Sequence, residues 1–224
     1  MNRLIIFLLL IALLHTISCN QKAKKTSSAQ LNTDAPKLVG GRCDGCEIMY
    51  VGMPAIINTV DTSPAWREKG QKLMVTGTAF QLDGKTVAPN VVIYYYHTDN
   101  NGYYSLRPGL DEKAKRHGHI RGWVKTDDNG KYAIYTIRPA PYPNDVLPAH
   151  IHLFIKEPDV QNEYYTDEIN FDDDKLLLSH FKIYPQENRG GSGIVRILPK
   201  EGIQIANHNI ILGLNIPNYP KKTK

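Results

Sequence analysis

The densest chemistry in the chain lies in Pro148-Ala149-His150-Ile151-His152-Leu153-Phe154-Ile155. Side chains alternate faces along a strand, so His150 and His152 share one side. Two imidazoles so placed can hold one metal ion, although His-x-His alone also fits two half-exposed strand residues. Tyr142, within Pro139-Ala140-Pro141-Tyr142-Pro143, lies just upstream. The flanking prolines keep that segment extended and stiff, so it can aim a phenol at the same point. The plainer role for Tyr142 is an aromatic plug at the end of a β-sandwich. Tyr104 follows an Asn-Gly turn further upstream. Phenolate is a hard, anionic ligand that favours Fe(III) over Fe(II) or Zn(II). Two phenolates and two neutral imidazoles would leave a ferric ion with a single net positive charge.

Other residues carry weaker signals. Cys43 and Cys46 form Cys-Asp-Gly-Cys. In an exported protein a local disulfide is the plain reading. A redox pair is disfavoured because no thioredoxin-like βαβ pattern surrounds it. His97, His117, His119, His180 and His208 are scattered and read as structural or solvent-facing, even though His117-Gly118-His119 repeats the His-x-His spacing. Asp172-Asp173-Asp174 reads as a solvated turn, with calcium the less favoured alternative.

The elements that must position these residues read as strands. Lys72 to Phe80, Val91 to His97, Ile120 to Thr126, Tyr132 to Ile137, His150 to Ile155, Gly193 to Leu198, and Ile203 to Leu214 in two pieces are short and rich in β-branched or aromatic residues. Turn signals separate them, which predicts a mainly β, sandwich architecture. Asp99-Asn100-Asn101-Gly102-Tyr103-Tyr104 and Asp127-Asp128-Asn129-Gly130-Lys131-Tyr132 share Asp-x-Asn-Gly-x-Tyr. Asn-Gly supplies the positive φ angles of tight hairpins. Short helices are expected only near Pro64–Glu68 and Lys175–Leu178.

The composition is that of a globular chain: 224 residues, 42% hydrophobic and 22% charged. That bounds the chain to one domain with a short appendage. Three cysteines are too few for a disulfide-stapled scaffold of this size. Residues 1–18 read as a signal peptide, with Arg3 before the apolar run Leu4 to Leu14. Cys19 directly after Ser18 resembles a bacterial lipobox, which makes Cys19 the lipidation site. Residues 19–36 then form the lipidated Cys and a flexible polar tether, and residues 37–224 the domain. The expected location is exported and membrane-anchored through the lipid, periplasmic or at the cell surface. Loss of Arg3 lowers the net charge from +5 to +4. With no basic tract, nucleic acid is not an expected partner.

Taken in order, these motifs resemble the intradiol ring-cleavage dioxygenase family, the protocatechuate and catechol dioxygenases. Leu73-x-x-x-Gly77 and the stretch from Ile93 to Ser105 match its first half. Arg121-Gly122-x-x-x-Thr126-Asp127-x-x-Gly130-x-Tyr132-x-x-x-Thr136-Ile137-x-Pro139-x-x-Tyr142-Pro143 matches its second, and Pro148-Ala149-His150-Ile151-His152 closes it. The likeness covers roughly residues 65 to 174. It implies the antiparallel β-sandwich of that family and a non-haem Fe(3+) held by Tyr104, Tyr142, His150 and His152. It also implies opening of a catechol-type ortho-diol with O2 to a muconate-type diacid, with Tyr142 leaving the metal when the diol binds. The family pattern alone prefers Tyr104 over Tyr132, which reads as a core strand aromatic. Tyr103 should point to the opposite face from Tyr104. Relatives often carry Arg just before Pro-Ala-His-Ile-His, facing the substrate. Here Leu147 takes its place, which leaves Arg121 or Arg138 as candidate substrate contacts. Association of copies as a homo-oligomer is left open.

Two other functions compete. Gly77 to Gly84 and Thr126 to Tyr132 also resemble transthyretin-like β-sandwich modules of cell surfaces, which bind without catalysis and have no need of the four-residue set. A redox lipoprotein built on Cys43 and Cys46 is the third.

Overall fold

The computed structural model describes residues 37–144 and 146–220. The expected signal peptide, Cys19 and the expected tether lie outside them, as does Asp145. The strands are β1 (Val60–Thr62), β2 (Lys72–Phe80), β3 (Val92–His97), β4 (Arg121–Lys125), β5 (Lys131–Ile137) and β6 (His150–Lys156). They continue with β7 (Tyr164–Tyr165), β8 (Ile169–Phe171), β9 (Ile194–Val195), β10 (Leu198–Lys200), β11 (Ile203–Asn207) and β12 (Ile210–Ile211). The segment expected as one strand from Gly193 to Leu198 is broken, because β9 pairs with β8 and β10 pairs with β11 in the other sheet. One α-helix, α1 (Leu177–Ile183), and three 3-10 turns complete the described elements.

The strands form two sheets. One runs β1-β5-β2-β11-β10, with β12 also on β2; the other runs β4-β3-β6-β8-β9, with β7 on β6. The long pairings β2–β5, β3–β4 and β3–β6 are antiparallel. The parallel pairings β1–β5, β11–β2, β12–β2 and β8–β9 lie around them. Strand β2 alternates strictly, with Leu73, Val75, Gly77 and Ala79 inward. These residues meet Ile93, Tyr95, Ile151, Leu153 and Ile155 of the facing sheet in one core. Gly77 is required there, because a Cβ would run into the His208 carbonyl and the Tyr132 ring.

The second sheet has a packed outer face as well. Tyr94, Tyr96, His152 and Phe154 alternate with the core residues of β3 and β6 and point away from the sandwich. Tyr94, Tyr96 and Phe154 form a separate cluster beneath Cys46 and Met49 of the N-terminal 3-10 turn Cys46–Tyr50. Cys43 and Cys46 are joined by a disulfide, with Cα atoms 5.6 Å apart.

The two Asp-x-Asn-Gly turns share a design that differs from the expected hairpin. In each, the Asp Oδ1 accepts the backbone N–H groups two and four residues on, at 2.8–3.1 Å. Only the Gly has positive φ, +85° at Gly102 and +71° at Gly130. The second turn carries the chain from β4 to β5, across to the other sheet. The first leads out of β3 into the loop that bears Tyr104. Asx turns satisfy their own backbone, so they can redirect a chain without a pairing strand.

Candidate metal centre

Three segments converge at one end of the outer face. Strand β6 presents His150 and His152. The turn after β3 delivers Tyr104, and the proline loop after β5 delivers Tyr142. The two loops are tied together: Ala140 N–H donates to Asp99 O (3.1 Å) and Thr98 Oγ1 to Ala140 O (2.8 Å). Gly102 packs so closely on the Pro141 carbonyl that no Cβ would fit. Tyr104 is anchored from behind, where Ser105 O accepts both the backbone N–H (2.9 Å) and Nδ1–H (2.8 Å) of His119. His119 Nε2 in turn meets Glu68 Oε1 at 2.9 Å.

The four donor atoms close a ring. Tyr104 Oη lies 2.6 Å from Tyr142 Oη and 2.9 Å from His152 Nε2. Tyr142 Oη lies 3.2 Å from His150 Nε2, and the two Nε2 atoms are 3.1 Å apart. Both imidazoles have a carbonyl or carboxylate at Nδ1: Pro148 O at 2.7 Å for His150, and Glu168 Oε1 at 3.2 Å for His152. Protons on Nδ1 leave both Nε2 atoms as lone-pair acceptors. Neutral side chains then bring two phenolic protons to four close contacts, and the Nε2–Nε2 contact has none. A cation at the centre removes that deficit, so the donor set fits a metal ion and, through its two phenols, a hard one.

The electrostatics agree. Burial pushes the Tyr104 phenol far above its ordinary value, and the Tyr142 contact adds to this. Burial also raises Tyr142, against the lowering effect of its hydrogen bond from Tyr104. Neither ionises unaided near neutral pH. Burial lowers His150, keeping it neutral and able to ligate. Partial burial raises Glu168, whose side chain is 47% exposed, but the neighbouring His152, His150 and His180 outweigh it and hold the carboxyl at about 2.

The other candidates lie elsewhere. Tyr103 is exposed and turned away from Tyr104. Tyr132 is buried in the core, where its Oη donates to His208 O at 2.7 Å. Neither arginine contacts the four-residue ring. Arg121 lies under the N-terminal segment, where it donates to Val51 O and stacks on Trp123. Arg138 is bidentate to Asp173 at 2.6 and 2.8 Å and stacks on Phe171. Guanidiniums saturated in this way have no free fork to offer a substrate. The acidic run is equally committed: Asp172 accepts from Ile197 N–H, Asp173 pairs with Arg138, and Asp174 accepts from Ala149 and Leu176 N–H.

Tyr96 and Glu168 at the centre were not singled out from the sequence, and His117 was set aside there as structural or solvent-facing. Tyr96 stacks on His152 (4.4 Å, 14°), and His117 stacks on the far side of Tyr96 (3.6 Å, 6°). The outward alternation of Tyr94 and Tyr96 on β3 is the pattern that would have placed Tyr96. Glu168 groups with His150 and His152, their ligating atoms lying within 4.8 Å of one another. It follows His152 by sixteen residues, so only strand register brings the two together.

The family model for dioxygenases matches residues 49–188. The chain belongs to the intradiol dioxygenase family. It is 31% identical to catechol 1,2-dioxygenase of Acinetobacter baylyi over 125 residues, 48% of this chain and 39% of that protein. The chain thus spans less than half the length of this curated relative. Among solved structures, the fold is similar to the dioxygenase domain of a dioxygenase carbohydrate-binding protein fusion from Streptomyces sp. SirexAA-E. That match has a TM-score of 0.54 and 16% identity, and covers 71% of this chain and 91% of the other. The fold is also similar to catechol 1,2-dioxygenase from Acinetobacter sp. ADP1, with a TM-score of 0.52 and 23% identity, covering 71% and 59%. The family's β-sandwich is the fold of this chain.

Proposed function

We propose that this intradiol dioxygenase depends on non-haem Fe(III) and opens a catechol-type ortho-diol between its hydroxyls with O2, giving a muconate-type diacid. Tyr104, Tyr142, His150 and His152 would hold the ion. The observation that carries this reading is the closed ring of four donor atoms, two of them imidazole nitrogens that face each other as acceptors. Bound there, the ion would supply Lewis-acid and templating chemistry to the diol.

The chain's own residues do the rest. Tyr142 and Tyr104 are both half-buried loop residues, but Tyr104 is held through Ser105 and His119 and packs near Tyr96 (5.8 Å). Tyr142 is therefore the phenolate placed to swing away and take a hydroxyl proton from the diol. His150 and His152 stay fixed through Pro148 O and the Tyr96 stack.

A cavity of about 700 Å³ lies between Val146-Leu147, just before His150 in the chain, and α1, and none of the four donor residues lines it. Leu147, Leu176, Ile183 and Tyr184 line it, and Asp174 ties its two walls by accepting from Ala149 and Leu176 N–H. An apolar wall at Leu147 suits an uncharged diol with an apolar substituent better than a carboxylated one. The exported, lipid-anchored location rests on the Ser18-Cys19 boundary after the apolar run. The test is oxygen uptake on a panel of catechols under ¹⁸O2. A ring-opened diacid carrying both labelled atoms supports the reading; no uptake on any diol by the iron-loaded protein overturns it.

A further inference from the structure

We infer that Glu168 is a positioning residue for His152, fixing its tautomer and supplying the negative charge that balances the proposed centre. The inference rests on the metal reading above.

Register builds the contact. Strands β6 and β8 are antiparallel, pairing His150 with Asn170 and Ile151 with Ile169. One step further along the same ladder sets Glu168 opposite His152, on the outer face they share. The backbone there is fixed. Gly193 approaches the Glu168 carbonyl too closely to accept a Cβ, and Asp167 accepts from the N–H groups of Asn188 (2.8 Å) and Arg189 (3.2 Å).

Glu168 Oε1 lies 3.2 Å from Nδ1 of His152, while the Tyr104 phenol and His150 meet its Nε2. The two ring nitrogens point away from each other, so a carboxylate on Nδ1 serves the ring rather than the point where the four donors converge. A carboxylate oxygen 3.2 Å from Nδ1 favours the proton there, which leaves the Nε2 lone pair for the metal and makes the imidazole a stronger donor. His150 has only the neutral Pro148 carbonyl in that role, so the two histidines are unequal ligands. Glu168 also supplies charge. The four ligands would leave a ferric ion one positive charge, and the half-exposed Glu168 carboxylate faces that charge across the His152 ring. The carboxylate lines a cavity of about 220 Å³ with Cys43, Asp44, Tyr96 and His152, so the disulfide loop walls it on the far side.

The experiment compares wild type with Glu168→Gln and Glu168→Ala. In the metal-free proteins, ¹⁵N imidazole spectra near pH 8 report the tautomer. Wild type should hold His152 protonated at Nδ1, and Glu168→Ala should populate the Nε2–H form. In the iron-loaded proteins, Glu168→Gln keeps an acceptor but loses the charge. It should weaken iron affinity about tenfold and move the phenolate-to-iron band to longer wavelength. Glu168→Ala should weaken affinity by up to about a hundredfold. Tautomer, affinity and band all unchanged in both variants would overturn the inference while leaving the iron reading intact. A wild type that takes up no iron would overturn the iron reading itself, and the charge-balance role with it.

Discussion

His208 gives a quantitative test of the packing that sets the scaffold. It lies between β11 and β12, 5% exposed. Its backbone N–H donates to Thr76 O, and its carbonyl accepts from Tyr132 Oη. Burial alone lowers its pKa from the ordinary 6.5 to about 4. At about 1.4 kcal/mol for each tenfold change in proton affinity, the full difference is worth about 3 kcal/mol. The folded pKa is the lower one, so the unfolded chain takes up protons first as the pH falls. Stability is therefore complete above 6.5 and is lost between 6.5 and about 4. From pH 7 to pH 5, this group contributes a loss of about 2 kcal/mol. His208→Gln is neutral throughout and should remove that share. His97 and His117, held at about 4 and about 3 mainly by burial, titrate in both proteins and cancel in the comparison. Urea unfolding of the metal-free proteins at pH 7, 6 and 5 is the assay. At an m-value of about 2 kcal/mol/M, wild type should lose about 1 M more in midpoint than the variant. Equal pH dependence in the two proteins would refute the reasoning.

Other outcomes follow from single contacts. Tyr132→Phe should leave iron content unchanged, whereas Tyr104→Phe should lower it, because only Tyr104 reaches the ring of donors; metal analysis of the purified variants decides. Gly77→Ala should cost about 1–3 kcal/mol in denaturant unfolding, because its Cβ meets the His208 carbonyl and the Tyr132 ring. Leu147→Arg should shift kcat/KM toward carboxylated diols by about ten- to a hundredfold, the worth of one charge-assisted hydrogen bond; unchanged preference would remove Leu147 from the specificity wall. Cys19→Ser should release the protein from the membrane fraction or block its processing, and equal fractionation would end the lipoprotein reading.

The scaffold and the shared face of His150 and His152 were legible because they depend on local pattern, whereas Tyr104 was reached only through the family resemblance. β-branched and aromatic content between turn signals marked β2, β3, β5 and β6, and the spacing of His150 and His152 put them on one face. The proline loop around Tyr142 was legible as a stiff arm. Contacts that depend on pairing between distant strands were not legible. Glu168 reaches His152 only through the β6–β8 register. Arg121 and Arg138 were open to a substrate role until Trp123, Val51 and Asp173 occupied their guanidiniums. The two Asp-x-Asn-Gly turns looked like hairpins because Asn-Gly is a hairpin signal. The Asp side chain takes the turn's own N–H groups, and a backbone bond joins the flanks of each turn, Asp99 N–H to Tyr103 O and Asp127 N–H to Lys131 O, before the chain is redirected. His119, set aside as structural, proves to be the brace behind Tyr104.

The most direct test of the central claim is the visible spectrum of the iron-loaded protein, recorded with its iron content before and after anaerobic addition of a catechol. A ferric ion held by Tyr104, Tyr142, His150 and His152 predicts about one iron per chain. It also predicts a red-brown phenolate-to-iron band that changes when the diol binds and Tyr142 leaves. A colourless protein that binds no iron, or a band that catechol does not alter, would contradict it.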